Sequence, residues 1–186
     1  MKNKLILLLA VLFLCSAFKA DKPVITIFMI GDSTMANKSL TGGNPERGWG
    51  HVLPGFFSED IQVDNHAMNG RSSKSFINEG RWDKVLSLIK KGDYVFIQFG
   101  HNDEKDEDPS RYTTPFGTFQ ENLKIYIETA RKHGAYPVLI TPLERRCFVE
   151  EHKLGPGAHG EYVAGMKQVA EECLSLIHIS EPTRPI

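Results

Sequence analysis

The sequence predicts an α/β domain in which a parallel β-sheet is flanked by helices on both faces. Short apolar segments of strand character alternate with segments of helical periodicity, and each pair has the length of a βα unit with a right-handed crossover. The 186 residues suffice for one domain, and a hydrophobic content of 41% excludes a disordered chain. A formal net charge of −1 argues against a nucleic-acid partner.

Four segments have the composition of strands, and apolar residues follow one another in the first and third, as in a strand buried on both faces. The first reads V-I-T-I-F-M-I and is stopped by Gly31, whereas the last is closed by Pro142. The predicted strands are Val24–Ile30, Ile61–Asn65, Tyr94–Phe99 and Tyr136–Thr141.

Helical segments separate these strands. The stretch from Ser72 to Lys91 is predicted to be one helix that stops at Gly92. Two further helices are expected, a short one within 48–57 and a longer one from about 160 to 173.

The remaining helix is predicted from its end signals. Thr118 and Glu121 have the spacing of a capping box, and Gly134 stands where a helix ends. Before it, the stretch from Asp103 to Asp108 holds five acidic residues and one lysine, which predicts a solvated loop. The EF-hand pattern with its glycine is absent from that stretch, so no calcium site is expected there.

Residues 1–20 have the features of a secretory signal peptide. Two lysines precede an apolar run from Leu5 to Leu14, which is too short to cross about 30 Å of hydrocarbon. The chain is therefore expected to be secreted or periplasmic, with no membrane association after cleavage. In an oxidising compartment Cys147 and Cys173 could pair or remain two unrelated thiols.

Three polar or flexible residues follow three successive strands, and loops at the carboxyl ends of parallel strands meet at one edge of a sheet. Ser33 offers a hydroxyl nucleophile on a tight turn, and Gly70 lets a backbone N–H approach a ligand. Asn102 offers an amide donor. The N–H groups of Ser33 and Gly70 and the Asn102 amide are therefore candidates for an oxyanion hole.

With these residues the sequence resembles the SGNH (GDSL-type) hydrolases, and more closely their rhamnogalacturonan acetylesterase branch. The matching segments are G-D-S-T-M-A at 31–36, G-W-G at 48–50, A-M-N-G-R-S at 67–72 and Q-F-G-H-N-D at 98–103. The resemblance implies a three-layer α/β/α, flavodoxin-like fold. It also implies removal of acetyl groups from a pectic polysaccharide through an acyl-Ser33 intermediate, with no metal or organic cofactor.

Three more residues are candidates for binding this substrate. Arg71 and Lys74 lie near the second motif and could face uronate carboxylates, or could be ordinary surface charges. Trp49 could stack on a sugar ring or belong to the core.

The general base of the family, a histidine in an Asp-x-x-His motif, has no counterpart here. None of the seven histidines follows an acidic residue by three positions, and His101 belongs to the third motif. Residues 174–186 resemble the translation of a sequencing adapter. We therefore expect a truncated SGNH domain over 21–173 that is incomplete at its C-terminal end and inactive without its histidine and aspartate. An SGNH lipase or acyl-esterase of other specificity and a non-catalytic glycan-binding relative remain the alternatives.

Overall fold

The strands form where the sequence places apolar and β-branched residues in short runs. The computed structural model describes residues 24–145, 148–150, 153–154 and 159–178. Its strands are β1 (Ile25–Gly31), β2 (Ile61–Asn65), β3 (Tyr94–Gln98), β4 (Tyr136–Ile140), β5 (Phe148–Glu150), β6 (Lys153–Leu154) and β7 (Leu176–His178). Five of them form a parallel sheet in the order β2-β1-β3-β4-β7, so the predicted α/β class is confirmed.

The helices are shorter and more broken than the sequence pattern predicts. They are α1 (Trp49–Val52), α2 (Ser73–Asn78), α3 (Arg81–Leu86), α4 (Thr118–Lys132) and α5 (Glu161–Glu172), with 3₁₀ turns at Thr41–Gly43 and Leu53–Phe56. None of the helices in the described ranges is long and apolar enough to cross a membrane.

The two faces of the sheet are covered unequally. Alternate strand residues such as Phe28 and Ile97 pack under α2, α3, α4 and α5 in the larger core cluster. On the other face Met29 packs with the segment from α1 to Phe57, which lies beside β1 and β2. Val138 on that face stays only partly buried. The prediction of helices on both faces therefore holds, although the second face carries a single short helix among the described residues.

The single helix predicted over Ser72–Lys91 is wrong. Gly80 adopts a left-handed φ of 65°, which breaks the segment into α2 and α3. The predicted capping box of Thr118 and Glu121 is also wrong, because the N-cap residue of α4 is Gly117 and its cap makes no side-chain hydrogen bond. A capping box does occur at α2, between Ser72 and Ser75.

Three short strands lie outside the four predicted from the sequence. β5 and β6 form an antiparallel hairpin within the polar loop after β4. β7 pairs with β4 inside the segment 174–186, where Ile177 packs against the larger core. Pairing of this kind needs only an extended apolar stretch, so the adapter origin of the segment stays a prediction.

Candidate active site

Ser33 lies on a turn that Asp32 holds closed at the end of the central strand β1. The buried Asp32 carboxylate accepts hydrogen bonds from the backbone N–H and the hydroxyl of Thr34, both at 2.8 Å. The Asp32 carbonyl accepts from the N–H of Ala36 at 3.0 Å. Ser33 is half-buried, and no group in the described ranges hydrogen-bonds its hydroxyl or accepts from its N–H. Both groups are therefore available to a ligand.

Gln98 at the end of β3 ties this turn to its neighbours. Its buried side chain accepts from the Thr34 hydroxyl at 3.1 Å and from the indole N–H of Trp49 at 2.8 Å. Its amide donates to the carbonyl of Thr141 at 3.1 Å. Trp49 is thus half-buried and hydrogen-bonded within the domain, as expected of a core residue, and its stacking on a sugar stays a prediction.

Gly70 and Asn102 come together beside this turn. The loop after β2 runs along β1, because the N–H of Met68 donates to the carbonyl of Gly31 at 3.0 Å. Gly70 follows with a φ of 76°, and its N–H has no acceptor within the described part of the chain. The Asn102 amide donates to the carbonyl of Arg71 at 3.0 Å, which links the third loop to the second. The predicted convergence of three strand-end loops is what the structure shows.

Asp103 is fully buried, which corrects the prediction that the whole acidic stretch is solvated. Its carboxylate accepts hydrogen bonds from the backbone N–H groups of Ser73 and Gly100, and from the hydroxyls of Ser73 and Thr113. Burial raises the pKa of this carboxyl group to about 7 against the effect of these hydrogen bonds. The loop that carries Asn102 is therefore fastened to the start of α2.

A histidine–carboxylate pair lies next to His101, formed by the buried His159 and the half-buried Glu104. His101 Nδ1 is 3.4 Å from Asp32 Oδ2, and its ring packs edge-on against His159 with the centroids 4.2 Å apart. His159 Nδ1 lies 3.0 Å from Glu104 Oε2. Burial lowers the pKa of His159, but its hydrogen bonds to Glu104 and to the Leu143 carbonyl raise it to a net value above the usual range.

Arg71 and Lys74, the predicted substrate-binding residues, have partners within the domain. Arg71 Nε lies 3.1 Å from both carboxylate oxygens of Glu79. Lys74 Nζ donates to the carbonyl of Pro109 at 2.7 Å. Both side chains are half-buried, so their role toward a uronate stays a prediction.

Arg111, which no sequence motif singles out, lies against two of the three predicted oxyanion-hole residues, Gly70 and Asn102. Its Nη1 is 3.4 Å from Asn102 Oδ1, and a Cβ atom placed on Gly70 would lie 4.0 Å from the same nitrogen. A lone arginine in a charged loop carries no signal in the sequence. Gln98 and Asp103 could have been found, since both lie in the third motif.

The described part of the chain holds neither a candidate metal site nor a paired cysteine. No cluster of three His, Cys, Asp or Glu residues there could hold a metal ion. Cys173 is a free, half-buried thiol, and Cys147 and residues 1–23 lie outside the described ranges.

A serine after β1, a glycine after β2 and an asparagine after β3 of a parallel sheet are the arrangement of motifs typical of SGNH hydrolases. The chain belongs to the GDSL-like lipase/acylhydrolase family, whose model matches residues 27–175. The family and fold expected from the motifs are thereby confirmed.

Curated relatives and a solved structure agree with this assignment. The chain is 42% identical over 156 residues to a probable rhamnogalacturonan acetylesterase, YesY of Bacillus subtilis, covering 83% of this chain and 70% of that protein. It is 43% identical over 155 residues to the rhamnogalacturonan acetylesterase RhgT of the same organism, covering 81% and 62%. The crystal structure of B. subtilis YxiM superposes with a TM-score of 0.71 at 30% identity, over 85% of this chain and 44% of that one.

Proposed function

We propose that this chain carries the nucleophile and oxyanion hole of an exported serine esterase that removes acetyl groups from a pectic polysaccharide. The observation that carries the proposal is the convergence of the loops that carry Ser33, Gly70 and Asn102, where the N–H groups of Ser33 and Gly70 have no acceptor among the described residues. The names of YesY and RhgT support an acetylated rhamnogalacturonan as the substrate.

The chemistry follows from these groups. The Ser33 oxygen attacks the acetyl carbonyl carbon, and the negative charge that develops on the carbonyl oxygen is stabilised by N–H donors of Ser33, Gly70 and Asn102. The serine proton passes to a base and then to the departing sugar hydroxyl, which leaves acetyl-Ser33. Water then attacks the acetyl carbonyl, releases acetate and returns the proton to the serine.

The base decides how fast these steps run. Because the sequence holds no Asp-x-x-His motif, we propose that the 186-residue chain acetylates slowly and deacetylates more slowly still. Both half-reactions need proton transfer, and water is a poor substitute for an oriented imidazole. An acetyl-enzyme should therefore accumulate with an activated ester.

Intact-mass spectrometry after incubation with p-nitrophenyl acetate tests the nucleophile. We expect one added acetyl group that maps to Ser33 and is missing in Ser33→Ala. Ser58→Ala is the matched control. Ser58 lies before β2, at the opposite end of that strand from the Gly70 loop, and its hydroxyl donates to Asp60. An adduct of equal size in Ser33→Ala would overturn the assignment.

Calorimetry with the Ser33→Ala variant tests the substrate. We expect tighter binding of an acetylated rhamnogalacturonan oligosaccharide than of the same oligosaccharide after chemical deacetylation. Equal affinities in the absence of any Ser33 adduct would instead support a glycan-binding protein without catalysis.

The second candidate function is that of a lipase or acyl-esterase that hydrolyses esters of longer acyl chains. An apolar cavity favours it. It has a volume of about 420 Å³ and lies on the less covered face of the sheet, with Trp49, Phe96, Val138, Ile140, Leu143 and His178 as its lining. A series of p-nitrophenyl esters from acetate to octanoate separates the two. Faster acylation by the longer esters would favour the lipase, whereas the acetylesterase prefers acetate.

Export is the remaining part of the proposal, supported by the basic and apolar pattern of residues 1–20. A fusion of these residues to alkaline phosphatase should be active outside the bacterial cytoplasm. A fusion in which Leu8 and Leu9 are replaced by arginine should stay inside and inactive. Equal activity of both fusions would contradict the signal peptide.

A further inference from the structure

Two neighbours hold the side-chain amide of Asn102, one at each end. Its Nδ2 donates to the carbonyl of Arg71 at 3.0 Å, and its Oδ1 accepts from Arg111 Nη1 at 3.4 Å. The reverse orientation would set the amide oxygen against a carbonyl and the NH₂ group against a guanidinium, which are both repulsive. The neighbours therefore dictate which end of the amide faces which way.

This orientation leaves one hydrogen of Nδ2 for a ligand. The amide nitrogen carries two hydrogens, and Arg71 takes one of them. Asn102 is 5% exposed, so its second hydrogen lies in a partly desolvated environment. A hydrogen bond donated there is electrostatically stronger than the same bond in water.

The Arg111 guanidinium is held in place by an ion pair within its own loop. Its Nε lies 2.6 Å from Asp108 Oδ2, three residues earlier in the same loop. The Asp108 carboxylate aims the guanidinium at Asn102, and the charge of the guanidinium draws electron density toward Oδ1. The Nδ2–H group becomes a stronger donor as a result.

We propose that Arg111 is a positioning residue that orients and polarises the Asn102 amide for the oxyanion. The proposal rests on the proposed function, because it assigns a role within the same oxyanion hole. Arg111 Nη1 also lies near Gly70, 4.0 Å from where a Cβ atom on that glycine would be. It acts through Asn102 and need not touch the substrate.

Acylation by p-nitrophenyl acetate tests the role of Arg111. Mass spectrometry follows the acetyl adduct over time and gives two quantities, the limiting acylation rate and the ester concentration at half-saturation. Asn102→Ala should lower the limiting rate roughly a hundredfold, as for loss of one oxyanion donor. Arg111→Met should lower it roughly tenfold with the half-saturating concentration unchanged, and the double variant should be no slower than Asn102→Ala. Arg111→Lys should recover part of the rate, since an ammonium restores charge without the planar fork.

Arg47→Met is the matched control, because the Arg47 guanidinium is exposed and donates to the carbonyls of its sequence neighbours Asn44 and Glu46. Its rate should equal that of the parent chain. Rates are compared where circular dichroism shows every variant folded.

Nuclear magnetic resonance of the Asn102 side-chain amide tests the same contact without any catalytic reaction. Its signals, assigned by their loss in Asn102→Ala, should shift in Arg111→Met and exchange faster with solvent. Unchanged signals would overturn the proposal, as would a slow Asn102→Ala beside an unaffected Arg111→Met. A normal rate in Asn102→Ala would instead contradict the oxyanion hole itself and hence the proposed function.

Discussion

Glu104 and His159 form a pair in which carboxylate Oε2 lies 3.0 Å from imidazole Nδ1, with the histidine buried and the glutamate half-buried. The other ring nitrogen lies 2.8 Å from the Leu143 carbonyl, so both nitrogens face acceptors and the imidazolium form satisfies both. The pair joins the loop after β3, which carries Asn102, to the residues that precede α5. It therefore stabilises the frame of the candidate site.

Glu104→Gln should cost about 2 kcal/mol of unfolding free energy near pH 5.5, the size of a hydrogen bond between charged groups. Burial raises the pKa of Glu104, but its bonds to His159 and Arg145 lower it to a net value below the usual range. This depressed pKa stabilises the fold above pH 4.5, and the raised pKa of His159 stabilises it below pH 6.5. The loss should thus shrink as His159 deprotonates at higher pH.

Urea unfolding between about pH 5 and pH 9 measures this profile. Glu107→Gln is the control, because Glu107 lies exposed in the same loop. A constant difference between Glu104→Gln and the parent chain at every pH would contradict a charged pair.

Asp103→Asn should destabilise the fold by about 2 kcal/mol near pH 4, because the new NH₂ group faces donors rather than acceptors. The folded pKa of Asp103 is about 7 and exceeds the value of about 3.9 in an unfolded chain. The parent chain therefore loses stability from this group as the pH rises from 4 to 7, and the variant does not. The gap between the two should narrow over that range in urea unfolding. Asp106→Asn, at an exposed position, is the control and should show the same change of unfolding free energy with pH as the parent chain.

Gly70→Ala should lose about 1 kcal/mol of stability and slow the acylation of Ser33. The alanine is disfavoured by the φ of 76°, whereas space is open, since the nearest atom to its Cβ is Arg111 Nη1 at 4.0 Å. Relief of the strain would turn the N–H away from the oxyanion. Gly80→Ala, with a φ of 65° and open space, should lose similar stability with no change in acylation. Equal acylation by both variants would contradict the role of the Gly70 N–H.

Trp49→Phe should cost about 1 kcal/mol, because the carboxamide oxygen of Gln98 loses its indole donor. Binding of the acetylated oligosaccharide should stay within twofold of the parent chain if the ring is a core residue. Trp82→Phe is matched to it, since the indole of Trp82 donates to the Thr129 hydroxyl away from the site. Unchanged stability with much weaker binding would place Trp49 in the substrate site.

The strand pattern by itself determined that the loops carrying Ser33, Gly70 and Asn102 lie at one edge of the sheet. An apolar run followed by a glycine or a polar residue marks a strand end, and parallel strands bring their ends to one edge. The motifs around these residues also identified the family. Helix boundaries were less well determined, because Gly80 can end a helix or be tolerated within one, and tertiary packing decides between the two.

Only the tertiary structure decided which side chains support the site. Asn102 meets the Arg71 carbonyl across 31 residues, and Glu104 meets His159 across 55. Asp103 sits in an acidic stretch that looks solvated, yet it is buried because the loop after β3 packs against α2. Hydrophobic periodicity reports which face of an element is covered, but loop-to-loop contacts depend on how the crossovers pack. Arg111 could therefore be recognised only once the fold had set it beside Gly70 and Asn102.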